Sequence, residues 1–156
     1  MTDLKLTSIQ LLGVVVNDLD AAVARYSELF GLDFQIFTSG VDYEVRPLSA
    51  TAEDPDRPLP RNSRIALDAD GTFELIEIPG VDEGYRNIHF RVTDAEAAVD
   101  ALAERGLKLV RDIQIGEARE LVLDSSQLNG IRICLLQYEG DSLADALAAS
   151  PRPDQS

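Results

Sequence analysis

The sequence contains one segment twice, and this repeat constrains the fold more than any other feature. Residues 11–29 align without a gap on residues 87–105. The positions that are identical in the two copies are Val16/Val92, Asp18/Asp94, Ala21/Ala97, Ala22/Ala98, Val23/Val99 and Glu28/Glu104. An internal repeat indicates two copies of one supersecondary unit that share a core. The architecture should therefore consist of two similar halves.

Each copy has the pattern of a strand, a helix and three further strands. In the first copy, the apolar run from Ile9 to Val16 is typical of a strand. Asp18 is a favourable N-cap for the following helix, and Gly31 is a favourable end for it. We predict one module at residues 1–80 with an exposed proline-rich loop at 48–63, a second module at 81–139, and a short helix with a frayed tail at 140–156. The last helix could cover a partner or an edge of the sheet.

A single βαβββ module would leave one sheet face and its edges exposed. Two such modules side by side can form one larger sheet whose helices pack on the outer face. We therefore predict an α+β fold in which two paired βαβββ modules form a curved mixed sheet, or cup, with the helices outside. The concave face of the cup is a natural site for a small-molecule ligand.

Composition disfavours several classes of partner. The formal net charge of −14 argues against nucleic acid, which requires clustered Lys and Arg, and against anionic membrane surfaces. No apolar run approaches the roughly 20 residues that cross a bilayer, and the first residues lack an apolar signal segment. The single cysteine, Cys134, forbids an internal disulfide. We therefore expect a cytoplasmic protein.

Three motifs resemble those of the vicinal oxygen chelate superfamily. Its strand–Asp-Leu–helix opening is similar to residues 16–19, its Tyr-x-x-x-Leu-Gly helix ending to residues 26–31, and its closing Glu-Leu strand to residues 73–77. The superfamily includes glyoxalase I, bleomycin-resistance proteins, extradiol dioxygenases, methylmalonyl-CoA epimerase and fosfomycin-resistance enzymes. The resemblance implies paired βαβββ modules, a small-molecule site in the cup and a homodimer.

The resemblance also implies four metal-ligand positions, which are typically His and Glu. These positions correspond to Leu11, Glu74, Asn87 and Cys134 in this chain. Leucine has no donor atom, asparagine is a weak neutral ligand, and one thiolate with one carboxylate suits no common catalytic divalent ion well. A catalytic metal site needs about three good ligands. We therefore predict that the protein lacks the family's metal and has no other cofactor.

Alternation along the first strand of the second repeat places positions 87, 89 and 91 on the concave face. His89, the single histidine of the chain, is the predicted general acid or base, with Glu74 as its partner. Asn87 and Arg91 are the predicted donors to a carbonyl or enolate oxygen. The residues predicted to complete the binding surface are Leu11, Gly13 and Cys134.

Each of these roles has a structural alternative. A single strand histidine such as His89 often makes only structural hydrogen bonds. Arg91 could simply neutralise Glu74 across the cup, and Cys134 could be a small packing residue, because free cysteine is usually buried and inert.

The residues favour an enzyme that transfers a proton next to a carbonyl without a metal, as an isomerase, epimerase, dehydratase or lyase. The alternative is a non-catalytic protein that sequesters a drug, as the resemblance to bleomycin-resistance proteins implies. The negative charge suits a cationic drug, but the chain has no Trp for stacking. A third possibility is a structural module whose cup stays empty.

Overall fold

The computed structural model describes residues 4–48 and 62–153, so most of the predicted proline-rich loop at 48–63 lies outside the described residues. The strands are β1 (Ile9–Val16), β2 (Phe34–Thr38), β3 (Val45–Pro47), β4 (Arg64–Asp68), β5 (Phe73–Glu77), β6 (Gly84–Arg91), β7 (Leu109–Ile115), β8 (Ala118–Leu123) and β9 (Ile133–Gln137). The helices are α1 (Leu19–Phe30), α2 (Ala95–Glu104) and α3 (Leu143–Ala148).

All of these strands belong to one mixed sheet with the order β2-β4-β5-β1-β6-β9-β8-β7-β3. The strands that begin the two repeats, β1 and β6, pair antiparallel at its centre. On either side, β5 runs parallel to β1 and β9 runs parallel to β6. The two halves are thus related as the repeat predicts, and the predicted α+β fold of paired βαβββ modules is confirmed.

Helices α1 and α2 pack on the convex face of the sheet. Asp18 and Asp94 cap them, each side chain accepting a hydrogen bond from the backbone N–H three residues later. Apolar residues at alternate positions of β1 and β6, such as Val16 and Phe90, pack beneath these helices. The opposite positions of both strands therefore face the concave side.

The two halves anchor their helices in the same way. The Glu77 Oε2 at the end of β5 accepts a hydrogen bond from the Leu19 N–H at 2.8 Å, and also pairs with Arg64. In the second half, the Gln137 Oε1 at the end of β9 accepts a hydrogen bond from the Ala95 N–H at 2.6 Å. Leu19 and Ala95 occupy equivalent positions in the repeat. Each closing strand thus holds the first turn of its own helix.

Strand β3 departs from the two-module pattern and was not predicted from the sequence. It follows β2 in the chain, yet it pairs antiparallel with β7 at the opposite edge of the sheet. The connection, residues 39–44, joins the two edges and is called the strap below. The seven Cα–Cα steps from Thr38 to Val45 span at most about 25 Å. The sheet must therefore curl into a half-barrel.

Helix α3 corrects the prediction that the C-terminal helix covers a partner or a sheet edge. It packs inside the cup, where Leu143 and Leu147 join a buried apolar cluster with Leu11, Ile76 and Leu136. This end of the concave face is apolar, so it provides the surface that the amphipathic helix needs. Within residues 4–48 and 62–153, no helix has the length and apolar character required to cross a membrane.

Candidate functional site

A cavity lies in the part of the cup that α3 leaves open, beneath the strap. One wall is apolar and consists of Val45, Ile65, Ile76, Ile113 and Ile115. The remaining lining is polar and consists of Tyr43, Glu74, Arg86, Asn87, Arg111, Glu120 and Arg132. Both halves of the repeat and the strap contribute to this lining. An apolar wall facing convergent polar groups is the usual form of a small-molecule site.

Glu74 and Asn87 flank Gly13 at the centre of the sheet. Gly13 pairs with Glu74 on β5 and with Asn87 on β6. A Cβ atom built at Gly13 would lie 1.9 Å from the Asn87 Oδ1, so the amide occupies the space of the missing side chain. The glycine therefore leaves no gap in the cup wall. The Oδ1 is buried and has no hydrogen-bond partner among the described residues.

His89 lies beside two other reactive groups. It is fully buried, and its Nε2 lies 3.3 Å from an oxygen of Glu120 on β8. Cys134, which pairs with His89 across β6 and β9, is also fully buried. Among the described residues, neither ring nitrogen of His89 has a partner in hydrogen-bonding geometry. The His89–Glu120 contact is therefore an electrostatic pairing rather than an aligned hydrogen bond.

The charges of this cluster favour a protonated imidazole. Burial alone lowers the pKa of His89, but Glu74, Cys134 and Glu120 outweigh it and raise this pKa well above its ordinary value. Burial also opposes ionisation of Glu120, but the contact and positive charge of His89 lower the pKa of Glu120 overall. His89 and Glu120 therefore form a buried ion pair at neutral pH.

The pKa of Glu74 is shifted in the opposite direction from the pKa of Glu120. Burial raises the pKa of Glu74, and the nearby Glu120 carboxylate raises it further, against the opposing charge of His89. Two carboxyl groups that line one cavity are thus driven apart in pKa. Such a separation assigns different roles to two acids in one site: Glu120 holds a fixed charge, and Glu74 can exchange a proton.

Three arginines that were not predicted from the sequence also line the cavity. Arg111 belongs to β7, and Arg132 immediately precedes β9. Arg86 lies at a bulge in β6, because Gly13 pairs with Asn87 and the next residue of β1 pairs with Tyr85. A bulge changes the direction of a side chain, so Arg86 and Asn87 both reach the cavity although they are adjacent in sequence.

Tyr43 comes from the strap and was also missed, because a tyrosine in an irregular segment carries no pattern. It is 4 % exposed and packs against the apolar concave cluster. Burial raises the pKa of its phenol, and the charges of Glu74 and Glu120 raise it further. Tyr43 is therefore a neutral hydrogen-bond donor at physiological pH.

Of the predicted site residues, Glu74 and Asn87 line this cavity. His89 and Cys134 are fully buried and reach it only through the contact of His89 with Glu120. Two others lie farther away. Leu11 belongs to the apolar cluster around α3. Arg91 donates hydrogen bonds to the carbonyls of Tyr138 and Gly140, and its guanidinium lies 4.0 Å from the centre of the Tyr138 ring. These contacts hold the turn that leads to α3, and they do not pair Arg91 with Glu74. The structure therefore brings together Glu74, Asn87, Gly13, His89 and Cys134.

The four positions implied for the superfamily's metal do not fit a divalent ion. Leu11 offers no donor atom and packs in an apolar cluster, and the Asn87 amide fills the space at Gly13. Cys134 offers a soft sulfur ligand, which does not suit a hard divalent ion beside a carboxylate. Glu74 alone remains as a good ligand.

A different group, His89, Glu120 and Cys134, brings three possible ligand atoms within 4.8 Å of one another. An imidazole, a carboxylate and a thiolate could together bind zinc. However, the charges of Arg86 and Arg132 act on the Glu120 carboxylate and would oppose a cation. The charge around the group therefore favours the ion pair over a metal.

Comparisons with known proteins agree with this fold. A methylmalonyl-CoA epimerase from Mycobacterium tuberculosis superposes with a TM-score of 0.61 at 20% identity, covering 86% of this chain and 90% of that chain. A Streptomyces coelicolor methylmalonyl-CoA epimerase variant in complex with 2-nitronate-propionyl-CoA gives 0.58 at 20% identity, covering 87% and 100%. A hypothetical protein from Bacillus halodurans gives 0.60 at 14% identity, covering 86% and 96%. These likenesses concern the fold.

No curated protein matches the sequence. A family model does match it: the model described as Glyoxalase/Bleomycin resistance protein/Dioxygenase superfamily aligns with residues 8–119, which is more than half of the chain. This match covers both β1–α1 and β6–α2, the two copies of the repeat. The predicted relationship is confirmed, and the chain belongs to the Glyoxalase/Bleomycin resistance protein/Dioxygenase superfamily.

Proposed function

We propose that this protein is a metal-independent enzyme that transfers a proton at a carbon next to a carbonyl group. The observation that carries the proposal is the opposite direction of the pKa shifts of Glu74 and Glu120, two carboxyl groups that line the same cavity. A carboxyl group with a raised pKa is a stronger base when ionised and a usable acid when protonated. Glu74 is therefore the catalytic residue of the proposed reaction.

The surrounding groups suit the charge that such a reaction develops. Removing a proton next to a carbonyl places negative charge on the carbonyl oxygen. The neutral phenol of Tyr43 lines the cavity and can donate a hydrogen bond to that oxygen. The protonated imidazole of His89 is buried beneath the cavity, and its positive charge interacts with Glu74. In this proposal, His89 is a positioning residue rather than the proton carrier.

Two further observations support the proposal. Epimerases of the same fold, named for methylmalonyl-CoA, are among the similar structures, and epimerisation next to a carbonyl is a proton transfer. Metal independence is supported by Leu11 and Asn87, which replace two ligands implied by the family resemblance, and by the positive charges of Arg86 and Arg132 at the cavity. The proposed reaction class is an isomerase, an epimerase or a lyase that begins with the same step.

Sequestration of a cationic drug is the competing function. The overall charge of −14 suits it, but the cavity itself is lined by Arg86, Arg111 and Arg132 against two carboxyl groups. A cationic ligand would be repelled where it must bind. The cavity therefore favours the enzymatic proposal.

We also propose that the protein is cytoplasmic and forms a homodimer. The buried free thiol of Cys134 is suited to a reducing compartment. Exposed apolar side chains near the end of α1, at Leu29 and Phe30, provide surface for a second copy. Light scattering of the purified protein should give the mass of a dimer.

Proton exchange tests the proposed reaction. Purified protein is incubated in D2O with pyruvate, 2-oxobutyrate and acetoacetate, and loss of the signal from protons next to the carbonyl is followed by ¹H NMR. We expect exchange faster than in buffer, an at least hundredfold loss with Glu74→Gln, and no loss with Glu117→Gln, which removes an exposed carboxylate.

Elemental analysis of the same samples tests metal independence. Active protein should contain far less than one divalent ion per chain, and EDTA should leave the exchange rate unchanged. Absence of exchange with all three compounds would reject the reaction. Exchange that depends on a stoichiometric metal would reject metal independence alone.

A further inference from the structure

Arginines are concentrated in this cavity although the molecule as a whole is acidic. The chain has 28 acidic and 14 basic residues, yet three arginines and two carboxyl groups line this one cavity. One of those carboxyl groups, Glu74, has a raised pKa because of burial, which leaves even less negative charge to balance the arginines. A cluster of arginines in one cavity of an acidic protein indicates a site for an anion.

Arg86 and Arg132 both line the cavity, and the positive charge of each disfavours the positive charge of the other. Arg86 is at the bulge in β6, and Arg132 precedes the neighbouring parallel strand β9, where its carbonyl accepts a hydrogen bond from the N–H of Ile88 at 3.0 Å. Burial lowers the pKa of Arg86, and the positive charge of Arg132 lowers it further. Glu74 and Glu120 act on the pKa of Arg86 in the opposite direction but do not outweigh these effects. A bound anion would therefore stabilise both guanidinium groups.

An unsatisfied donor supports the same conclusion. The Nε of Arg132 is buried and has no hydrogen-bond partner among the described residues. A buried polar atom without a partner is destabilising, and an oxygen of a bound anion would satisfy it. A guanidinium binds a carboxylate through two parallel N–H groups, so a carboxylate fits Arg132.

We infer that the cavity binds the carboxylate of a small carbonyl acid between Arg86 and Arg132, with the rest of the substrate extending toward Glu74 and the apolar wall. This inference rests on the proposed function for the carbonyl part, but the anion site stands on the arginines alone. It names the substrate class: an acid whose carboxylate is bound by arginine rather than by a metal ion.

An isosteric series tests the anion site without knowledge of the substrate. Acetate, acetamide and acetamidinium have nearly the same shape and carry charges of −1, 0 and +1. Each is titrated into ¹⁵N-labelled protein at constant ionic strength, and the Nε–Hε resonances of the arginines are followed by NMR. We expect saturable shifts of the Arg132 signal with acetate, at least tenfold weaker binding of acetamide, and no shift with acetamidinium.

Variants show whether the binding is local. Arg132→Gln and Arg86→Gln should each weaken acetate binding at least tenfold, while Arg25→Gln, which removes an exposed arginine of α1, should leave it unchanged. Arg132→Lys keeps the charge and serves if the glutamine variant does not fold. Equal binding of acetate and acetamide, tighter binding of acetamidinium, or an equal effect of Arg25→Gln would overturn the inference.

The two proposals fail in different ways. Acetate binding that depends on Arg132, together with no proton exchange in any carbonyl acid, would keep the anion site and reject the proposed reaction. Proton exchange that Arg86→Gln and Arg132→Gln leave unchanged would keep the reaction and reject the anion site.

Discussion

The amide of Asn87 occupies the volume that any side chain at Gly13 would require. The two residues are direct partners on the central strands β1 and β6, and the hypothetical Cβ of Gly13 would approach the Asn87 Oδ1 to 1.9 Å. Real Cβ contacts do not occur at such distances. The orientation of Asn87 in the cavity therefore depends on glycine in the neighbouring strand.

A double-mutant cycle on this pair tests that dependence. Gly13→Ala should lower the free energy of unfolding by about 1–3 kcal/mol, as expected for overpacking of a filled site. In an Asn87→Ala background the same change should be neutral, because the space is then free. Urea denaturation of the four proteins measures the coupling. Additive effects of the two substitutions would show that the amide does not fill the space at Gly13.

The raised pKa of His89 predicts how stability depends on pH. Its positive charge is stabilised by Glu74, Cys134 and Glu120 in the folded state. This contribution is complete below the ordinary histidine pKa of 6.5 and is lost as pH rises through the higher folded-state pKa. The raised pKa of Glu74 acts in the same direction. The free energy of unfolding should therefore fall as pH increases above about 6.5.

The single histidine makes this titration easy to measure. The ring resonances of His89 can be assigned without ambiguity, and in the native protein their midpoint should lie well above 6.5. His89→Gln should give a flatter dependence of the unfolding midpoint on pH. A native titration midpoint at or below 6.5 would contradict the assignment of a buried ion pair with Glu120.

Cys134 should be unreactive in the native protein. It is fully buried, so a reagent cannot reach it. Burial also raises the pKa of its thiol, so little of the reactive thiolate is present. Ellman's reagent should label no thiol in the folded protein within minutes and one thiol per chain in urea. Cys134→Ala should keep the proton exchange of the wild type. Rapid labelling of the folded protein would indicate that the thiol is accessible and could take part in chemistry.

Glu77 should stabilise the fold mainly through the helix that it caps. It accepts a hydrogen bond from Leu19 N–H and pairs with Arg64, whose hydrogen bond lowers the pKa of Glu77. Because this ion pair is partly exposed, Glu77→Gln should cost about 1 kcal/mol or less. Glu77→Ala also removes the acceptor for α1 and should cost about 1–3 kcal/mol.

Thermal and urea unfolding of both Glu77 variants would separate the two contributions. Gln137→Ala is the matched variant in the second half, since Gln137 accepts from the equivalent Ala95 N–H without an ion pair. Its cost should resemble the difference between Glu77→Ala and Glu77→Gln. Equal costs for the two Glu77 variants would show that the charge, and not the cap, provides the stability.

The arrangement of the sheet could be predicted from the sequence because the repeat and the alternation of apolar residues can be recognised within short segments of the chain. Val16 and Val92 mark the convex face, and this fixes the phase of both central strands. The same reasoning could have found Glu120, since Ala118, Glu120 and Val122 alternate in a strand that pairs with β9. Applying the phase of β9 to β8 places Glu120 on the concave face, where His89 also lies.

Other parts of the site could not be predicted in this way. Arg86 lies one residue from Asn87, so strict alternation assigns it to the convex face, and only the bulge brings it into the cavity. Tyr43 and β3 depend on a connection to the far edge of the sheet, which leaves no local pattern. The raised pKa of His89 depends on Glu74, Cys134 and Glu120 together, and these residues lie on three other strands that are distant in sequence.

The strap has a consequence for how the two halves can be separated. Although the sequence contains two copies of one segment in tandem, β3 belongs to the first half of the sequence and forms the outer edge strand beside the second half. A fragment that begins after residue 80 would lack β3, the strap residue Tyr43 and β1, which is the central partner of β6. The halves are therefore linked twice, once through the pairing of β1 with β6 and once through the strap. Cleavage of the chain between the two repeats would not divide the fold into two complete modules.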